Sequence, residues 1–227
     1  MYRSPLLFLL FICLLSCCGS ADVYHIDGYI DCADDGDTVT ILHLDNDNSH
    51  ESLSQAIVKD GKFYFDGTVN GCVIANIHVC ARGKELCSTF FIEKGNIELH
   101  VGDSSIKATG TPFNEMYNII EDSITYYTGR LEEIEDICCS EVPENALLAQ
   151  LGAEGIGLQE KLVDFLHRRI TENIGNPLGI YLFVVYGELF TTDEPRSLIK
   201  RIPPYPAYTS NNPFYEMIMQ TTRGIGK

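Results

Sequence analysis

The chain has 227 residues, with 16 Lys and Arg against 32 Asp and Glu, a formal net charge of −16. Hydrophobic residues make up 45% and charged residues 21%, which excludes a disordered chain and allows one large domain or two small ones. So large an acidic excess excludes a phosphate-neutralising nucleic-acid binder, and equally a protein held to anionic lipid by basic patches.

Met1-Tyr2-Arg3-Ser4-Pro5 precedes an apolar run from Leu6 to Leu15, followed by Ser16-Cys17-Cys18-Gly19-Ser20. One early arginine, a short apolar run and small residues after it read as a secretory leader. The run is well short of the roughly 20 residues that span a bilayer. Leu14-Leu15-Ser16-Cys17 has the form of a bacterial lipobox, which predicts cleavage before Cys17 and acylation of its thiol. Acyl chains hold a protein on a membrane at about 0.8 kcal/mol per buried CH₂. The reading is a leader over 1–16 and a lipidated tether over 17–22.

Residues 23–111 alternate apolar and polar with turn signals every eight to twelve residues, which predicts an antiparallel β-sandwich of about eight strands. The strands are expected at 23–30, 37–44, 53–59, 62–69, 72–81, 86–93, 96–101 and 105–109. Three hairpins are expected. Asp60-Gly61 gives a type I′ turn; Gly83-Lys84 is read as the centre of a type II′ turn; Glu93-Lys94-Gly95-Asn96 joins the next two strands.

At Thr111-Pro112 the period changes, with an N-cap, a Pro at the first helical position and Glu115 in the first turn. Phe113, Met116, Tyr117, Ile120, Ile124, Tyr127, Leu131 and Ile134 then form one apolar stripe, broken by Cys138 to Pro143. A second helix is expected over 144–173, weakened by Gly152, Gly155 and Gly157, and ending at Gly175-Asn176-Pro177. Shorter helices are expected at 178–190, 194–202 and 213–223. Strands followed by helices make the class α+β, with a helical connector over 112–225.

The order Val58-Lys59-Asp60-Gly61-Lys62-Phe63-Tyr64-Phe65-Asp66-Gly67, Phe91-Ile92-Glu93-Lys94-Gly95-Asn96-Ile97 and Thr109-Gly110-Thr111-Pro112-Phe113-Asn114 carries a resemblance. So does Glu172-Asn173-Ile174-Gly175-Asn176-Pro177-Leu178-Gly179-Ile180-Tyr181 further on. Together they resemble an uncharacterised amino-terminal domain of Bacteroidetes-type envelope lipoproteins and the helical connector after it, over roughly residues 23–225. In that family the connector usually leads into a thioredoxin-like domain of the peroxiredoxin or thiol–disulfide oxidoreductase kind. Here the sequence holds no Cys-x-x-Cys, and its last residues, Gly224-Ile225-Gly226-Lys227, resemble the start of such a domain. The resemblance implies a thioredoxin-like partner or further domain, and its motifs are turns and caps rather than chemistry.

Nine cysteines stand at 13, 17, 18, 32, 72, 80, 87, 138 and 139. Around a Gly83-Lys84 turn, Cys80 and Cys87 fall directly opposite, about 4.5–5.5 Å apart at Cα, within disulfide range. The alternative is two reduced thiols acting as small hydrophobes. Cys138-Cys139 is read as a helix end with inert thiols, against a strained vicinal ring or a soft-metal pair. Asp31 to Asp37 and Asp45 to Ser49 are acidic loops. His50 and Ala56 stand where a calcium loop needs Gly and Glu, so they read as solvated turns. No metal, cofactor, Ser-centred elbow or phosphate-cradle pattern is expected.

The function expected is that of a membrane-anchored envelope lipoprotein that binds or positions a partner without catalysis of its own. The alternatives are the amino-terminal fragment of a thiol–disulfide oxidoreductase and a stand-alone binder of small molecules or glycans. Ile202, Tyr205, Tyr208, Phe214, Tyr215, Met217 and Ile218 mark the carboxy-terminal segment as either the partner surface or the most mobile part of the chain.

Overall fold

The computed structural model describes residues 22–31, 33–43, 52–69, 71–140, 145–189, 197–198 and 200–202. Cys17 and the leader, Cys18, Cys32, the loop Asp45 to Ser49, residues 194–196 and 199 of the helix expected at 194–202, and the whole of that expected at 213–223 lie outside these residues.

Eight strands run in chain order: β1 (Asp22–Ile30), β2 (Thr38–His43), β3 (Ser52–Ile57), β4 (Lys62–Val69), β5 (Cys72–Ala81), β6 (Lys84–Glu93), β7 (Gly95–Val101) and β8 (Ile106–Thr109). They form two four-stranded sheets, β4-β1-β7-β8 and β3-β2-β5-β6. Alternate side chains of each strand point between the sheets. Ile26, Phe63, Phe65, Ile97 and Leu99 of the first sheet meet Val39, Ile41, Ile77, Val79 and Phe90 of the second. The sandwich expected from the alternation is present, with one departure: β1 and β7 pair in parallel, Ile26 opposite Ile97.

All three expected hairpins depart in part from the expectation. Asp60 and Gly61 both take positive φ, as a type I′ turn requires, and Lys59 and Lys62 exchange both backbone hydrogen bonds. Beyond that one bridge the chain parts, β3 into one sheet and β4 into the other. Likewise β6 and β7 do not pair; the stretch around Lys94 carries the chain from one sheet to the other. The β5–β6 hairpin is real, but its centre is Arg82-Gly83, both at positive φ, and not Gly83-Lys84. Its turn is therefore type I′, not II′.

Three helices follow: α1 (Pro112–Ser140), α2 (Asn145–Asn173) and α3 (Pro177–Tyr186), with a 3-10 turn at Gly187–Leu189. The glycines of α2 do not interrupt it. Helices α1 and α2, 29 residues each, pair as a hairpin through Ile134, Leu151 and Leu158. Helix α3 is apolar nearly all round and sits buried, with Leu178, Ile180, Leu182 and Phe183 inside.

The helices are joined to the sandwich through one core. Ile74 and Phe91 lie on the outer face of β5 and β6, yet Phe91 is 0% exposed. They pack with Ile120, Ile170, Leu178, Ile180 and Phe183, and the Phe91 ring meets those of Tyr117 and Tyr181 edge-on at 5.5 and 6.1 Å. This explains the unbroken apolar run Phe90-Phe91-Ile92: the end of β6 is covered on both faces, so alternation stops there.

Candidate functional site

The amino-terminal ends of α1 and α3 converge on the same corner of the sandwich, where β5 begins and β6 ends. Between them lies a half-open cleft of about 290 Å³ lined by Cys72, Glu93, Lys94, Phe113, Asn176 and Pro177, among others. Asn176 caps α3, its Oδ1 accepting from the Gly179 N–H at 3.1 Å, with Pro177 at the first helical position. Glu93 performs a similar service for α1. Its Oε1 accepts from the Phe113 N–H at 2.7 Å, where the helix dipole favours negative charge.

Cys72 stands directly opposite Glu93 in the β5–β6 ladder. Burial, and then the Glu93 charge, push its thiol well above the ordinary value of 9.0. A thiol beside a buried carboxylate is kept protonated, the reverse of an activated cysteine. The cleft thus offers a thiol, a carboxylate and two helix amino termini, and the carboxylate already takes one of the N–H groups that would hold an anion. Its volume is near the lower limit for small-molecule pockets.

A second opening, about 180 Å³, lies at the end of the sandwich between Ile30, Val79, Leu86 and Val101, with Arg82, Lys84 and Asp103 at its rim. A third feature lies on the outer face of β5 and β6, away from the helices. There Cys87 stands opposite His78, its Sγ 3.2 Å from Nε2. Burial pushes the Cys87 thiol up, which favours the protonated thiol over a thiolate.

Cys80 stands opposite Glu85 and not Cys87, because the turn centre is one residue earlier than the sequence suggested. The two cysteines are diagonal neighbours, and such positions lie about 7–8 Å apart, past the usual disulfide span. Both are free thiols in this structure, as are Cys72, Cys138 and Cys139. The last two are successive residues of α1.

The acidic loop after β1 serves its own turns. Asp37 accepts from the Asp34 N–H, Asp35 accepts from the Asp60 N–H, and Asp34 pairs with Arg82 at 3.3 Å. Among the described residues no group of three or more His, Cys, Asp or Glu side chains is placed to hold a metal ion. Among them, too, no helix is long and apolar enough to cross a membrane. Glu93 and Asn176 were absent from the sequence-level candidates. Asn176 carried a signal, the Asn-Pro of a helix start, but Glu93 looked like the first residue of a hairpin turn.

Residues 24–117 match a family model described as "Domain of unknown function (DUF4369)". The matched stretch takes in nearly all of the sandwich and the first turns of α1, so it includes Cys72 and Glu93. No curated protein matches the chain. Among solved structures, the crystal structure of (S)-allantoin synthase is similar at 10% identity and a TM-score of 0.30, over 40% of this chain and 45% of that one. This chain spans under half the length of that structure, and the likeness carries no argument about function.

Proposed function

We propose that this chain is an envelope lipoprotein, held to a bilayer through acylated Cys17, that positions a thioredoxin-like partner or domain and catalyses nothing itself. The observation that carries the reading is the shared core. Phe91 and Ile74 of the sandwich are buried among Ile120, Leu178, Ile180 and Phe183, so the helices cannot swing independently of the strands. The point where the chain enters β1 and the point where it leaves α3 are then held at a fixed orientation to each other. The lipobox supports the anchor, and the resemblance at the helical connector supports the kind of partner.

The test is fractionation of the full chain and its Cys17→Ser variant in a bacterial host with lipoprotein-processing enzymes, with intact-mass analysis of both. The expected result is a membrane-bound chain carrying acyl mass, and a released, unmodified variant. An unmodified wild-type chain in the soluble fraction overturns the anchor. Insulin reduction by the purified chain, lost on Cys87→Ser, overturns the non-catalytic reading.

A further inference from the structure

We propose that His78 and Cys87 together bind a soft monovalent metal cation, Cu(I), on the outer face of the β5–β6 hairpin. Alternate side chains of the two strands point to that face, and their opposed pairs form successive rows. Ile74 opposite Phe91 lies under the helices, in the shared core. Asn76 opposite Thr89 comes next, and the Thr89 hydroxyl donates to Asn76 Oδ1 at 2.9 Å. His78 opposite Cys87 follows, and Cys80 opposite Glu85 ends the series beside the turn.

The first of these rows is used for packing and the second for a hydrogen bond of its own. The third brings a thiol against an imidazole, Sγ 3.2 Å from Nε2, with Cys87 exposed and His78 half-buried. Packing does not account for it. Free cysteine is among the residue types most often buried, and its reactivity, metal binding included, decides its use more often than its bulk does. On the other side of β5, strand β2 adds only hydroxyls, Thr40 opposite His78 and Thr38 opposite Cys80.

The donor set selects the cation. Calcium and magnesium take six or more oxygens, and structural zinc takes four nitrogen or sulfur ligands. Among the described residues no third His, Cys, Asp or Glu side chain is placed to make a three-ligand group with this pair. One thiolate and one imidazole suit Cu(I), which accepts soft ligands in small number. The chain's net charge of −16 favours the approach of any cation.

Metal bonds run to about 2.3 Å for sulfur and about 2.0 Å for nitrogen, so a cation enters between the two atoms once they part by about 1 Å. The exposed Cys87 side chain can turn outward by that much while the ladder stays in place. Binding exchanges a proton for the metal. The Cys87 S–H bond breaks as the S–Cu bond forms, the proton leaves to solvent, and the neutral imidazole gives its Nε2 lone pair. Copper remains Cu(I) throughout, so neither an oxidant nor a reductant takes part.

Anaerobic titration of the full chain with Cu(I) in mild detergent, against the coloured Cu(I) chelator bicinchoninate, tests this. One Cu(I) is expected to bind ahead of any other, with one sulfur and one imidazole nitrogen as its neighbours in X-ray absorption. Losing even a residue behind a metal ligand costs about 10–100-fold in affinity, so Cys87→Ser should cost about a hundredfold or more and His78→Ala about tenfold or more. Cys80→Ser and Cys139→Ser leave the affinity within about threefold. Unchanged thermal melting of Cys87→Ser and His78→Ala shows that the fold is intact. Copper with sulfur neighbours alone, or an equal loss in Cys80→Ser, places the metal on cysteines only and overturns the proposal. A chain that holds no Cu(I) against the chelator overturns it too, as does binding indifferent to Cys87→Ser or to His78→Ala.

Discussion

The side chain of Asn114 closes on the backbone of Phe91 as a neighbouring strand would. Its Nδ2 donates to the Phe91 carbonyl at 2.7 Å and its Oδ1 accepts the Phe91 N–H at 2.9 Å. Strand β6 is the edge of its sheet, so these groups have no strand partner. Asn114, 0% exposed, supplies one, and Thr111 Oγ1 takes a further hydrogen bond from Nδ2 at 2.8 Å. One carboxamide thus seals a sheet edge and fixes where α1 starts.

Replacing Asn114 by Ala leaves a buried N–H and a buried C=O unpaired. Each such group costs about 1–3 kcal/mol, so the loss expected is about 2–5 kcal/mol. Asn114→Asp keeps the acceptor, loses the donor and buries a charge, so it recovers little. Urea melts check this, and a loss below about 0.5 kcal/mol for Asn114→Ala would remove the edge-sealing role.

Gly179 makes the α2–α3 corner possible. A Cβ there would lie 1.9 Å from the Asn173 carbonyl oxygen, a backbone atom that cannot swing aside. Gly179→Ala must push α3 away from the end of α2, at a cost of at least about 1–3 kcal/mol. Helix α3 carries Leu178, Ile180, Leu182 and Phe183 into the shared core, so the damage should spread to the β5–β6 end of the sandwich. Hydrogen exchange would show this as faster exchange at Ile74 and Phe91. Unchanged exchange there would mean that the corner is not the point of attachment.

These two residues show what was legible in the sequence and what was not. The strand positions were readable because alternation is a local property, and so was the long stripe of α1. The Asn-Pro-Leu-Gly corner was visible as a motif, but its cause, the approach of Gly179 to Asn173, is not local. Strand partners were harder to read. Asp60-Gly61 and Glu93 to Asn96 carry similar turn chemistry whether the next strand pairs with the last or crosses to the other sheet. A turn centred one residue early was enough to move Cys87 from Cys80 to His78. Glu93 and Asn114 could not be found from spacing at all, because each acts on backbone at least 20 residues away.

Alkaline conditions should unfold the protein from its shared core. Burial, with Tyr181 and Glu121 nearby, pushes Tyr117 far up from its ordinary value of 10.0. Burial, with Glu121 and Tyr181, pushes Tyr186 up to about 12. The folded state keeps both protons where the unfolded chain has released them. Above pH of about 10 the unfolded state therefore binds fewer protons and stability falls as pH rises. Melting temperature should hold below that pH and decline through about pH 12, less steeply in Tyr186→Phe. Tyrosinate absorbance rising in full before any loss of helix signal would contradict this.

The thiols should differ in reactivity in the order of their surroundings. Cys80 and Cys139 are exposed; Cys87 is exposed too, but it contacts His78 and its thiol is pushed up; Cys72 lies against Glu93 and is pushed up furthest. The thiolate is the reactive form, so alkylation at mildly alkaline pH follows its fraction as well as access. Peptide-resolved mass spectrometry after a brief pulse of iodoacetamide should find Cys80 and Cys139 labelled first, Cys87 more slowly and Cys72 only on unfolding. His78→Ala should bring the rate at Cys87 toward that of Cys80 by removing the ring that lies against the thiol. A Cys72 that labels as fast as Cys80 would mean that the cleft is open to solvent at Glu93, and the capping of α1 by that carboxylate would then have to be abandoned.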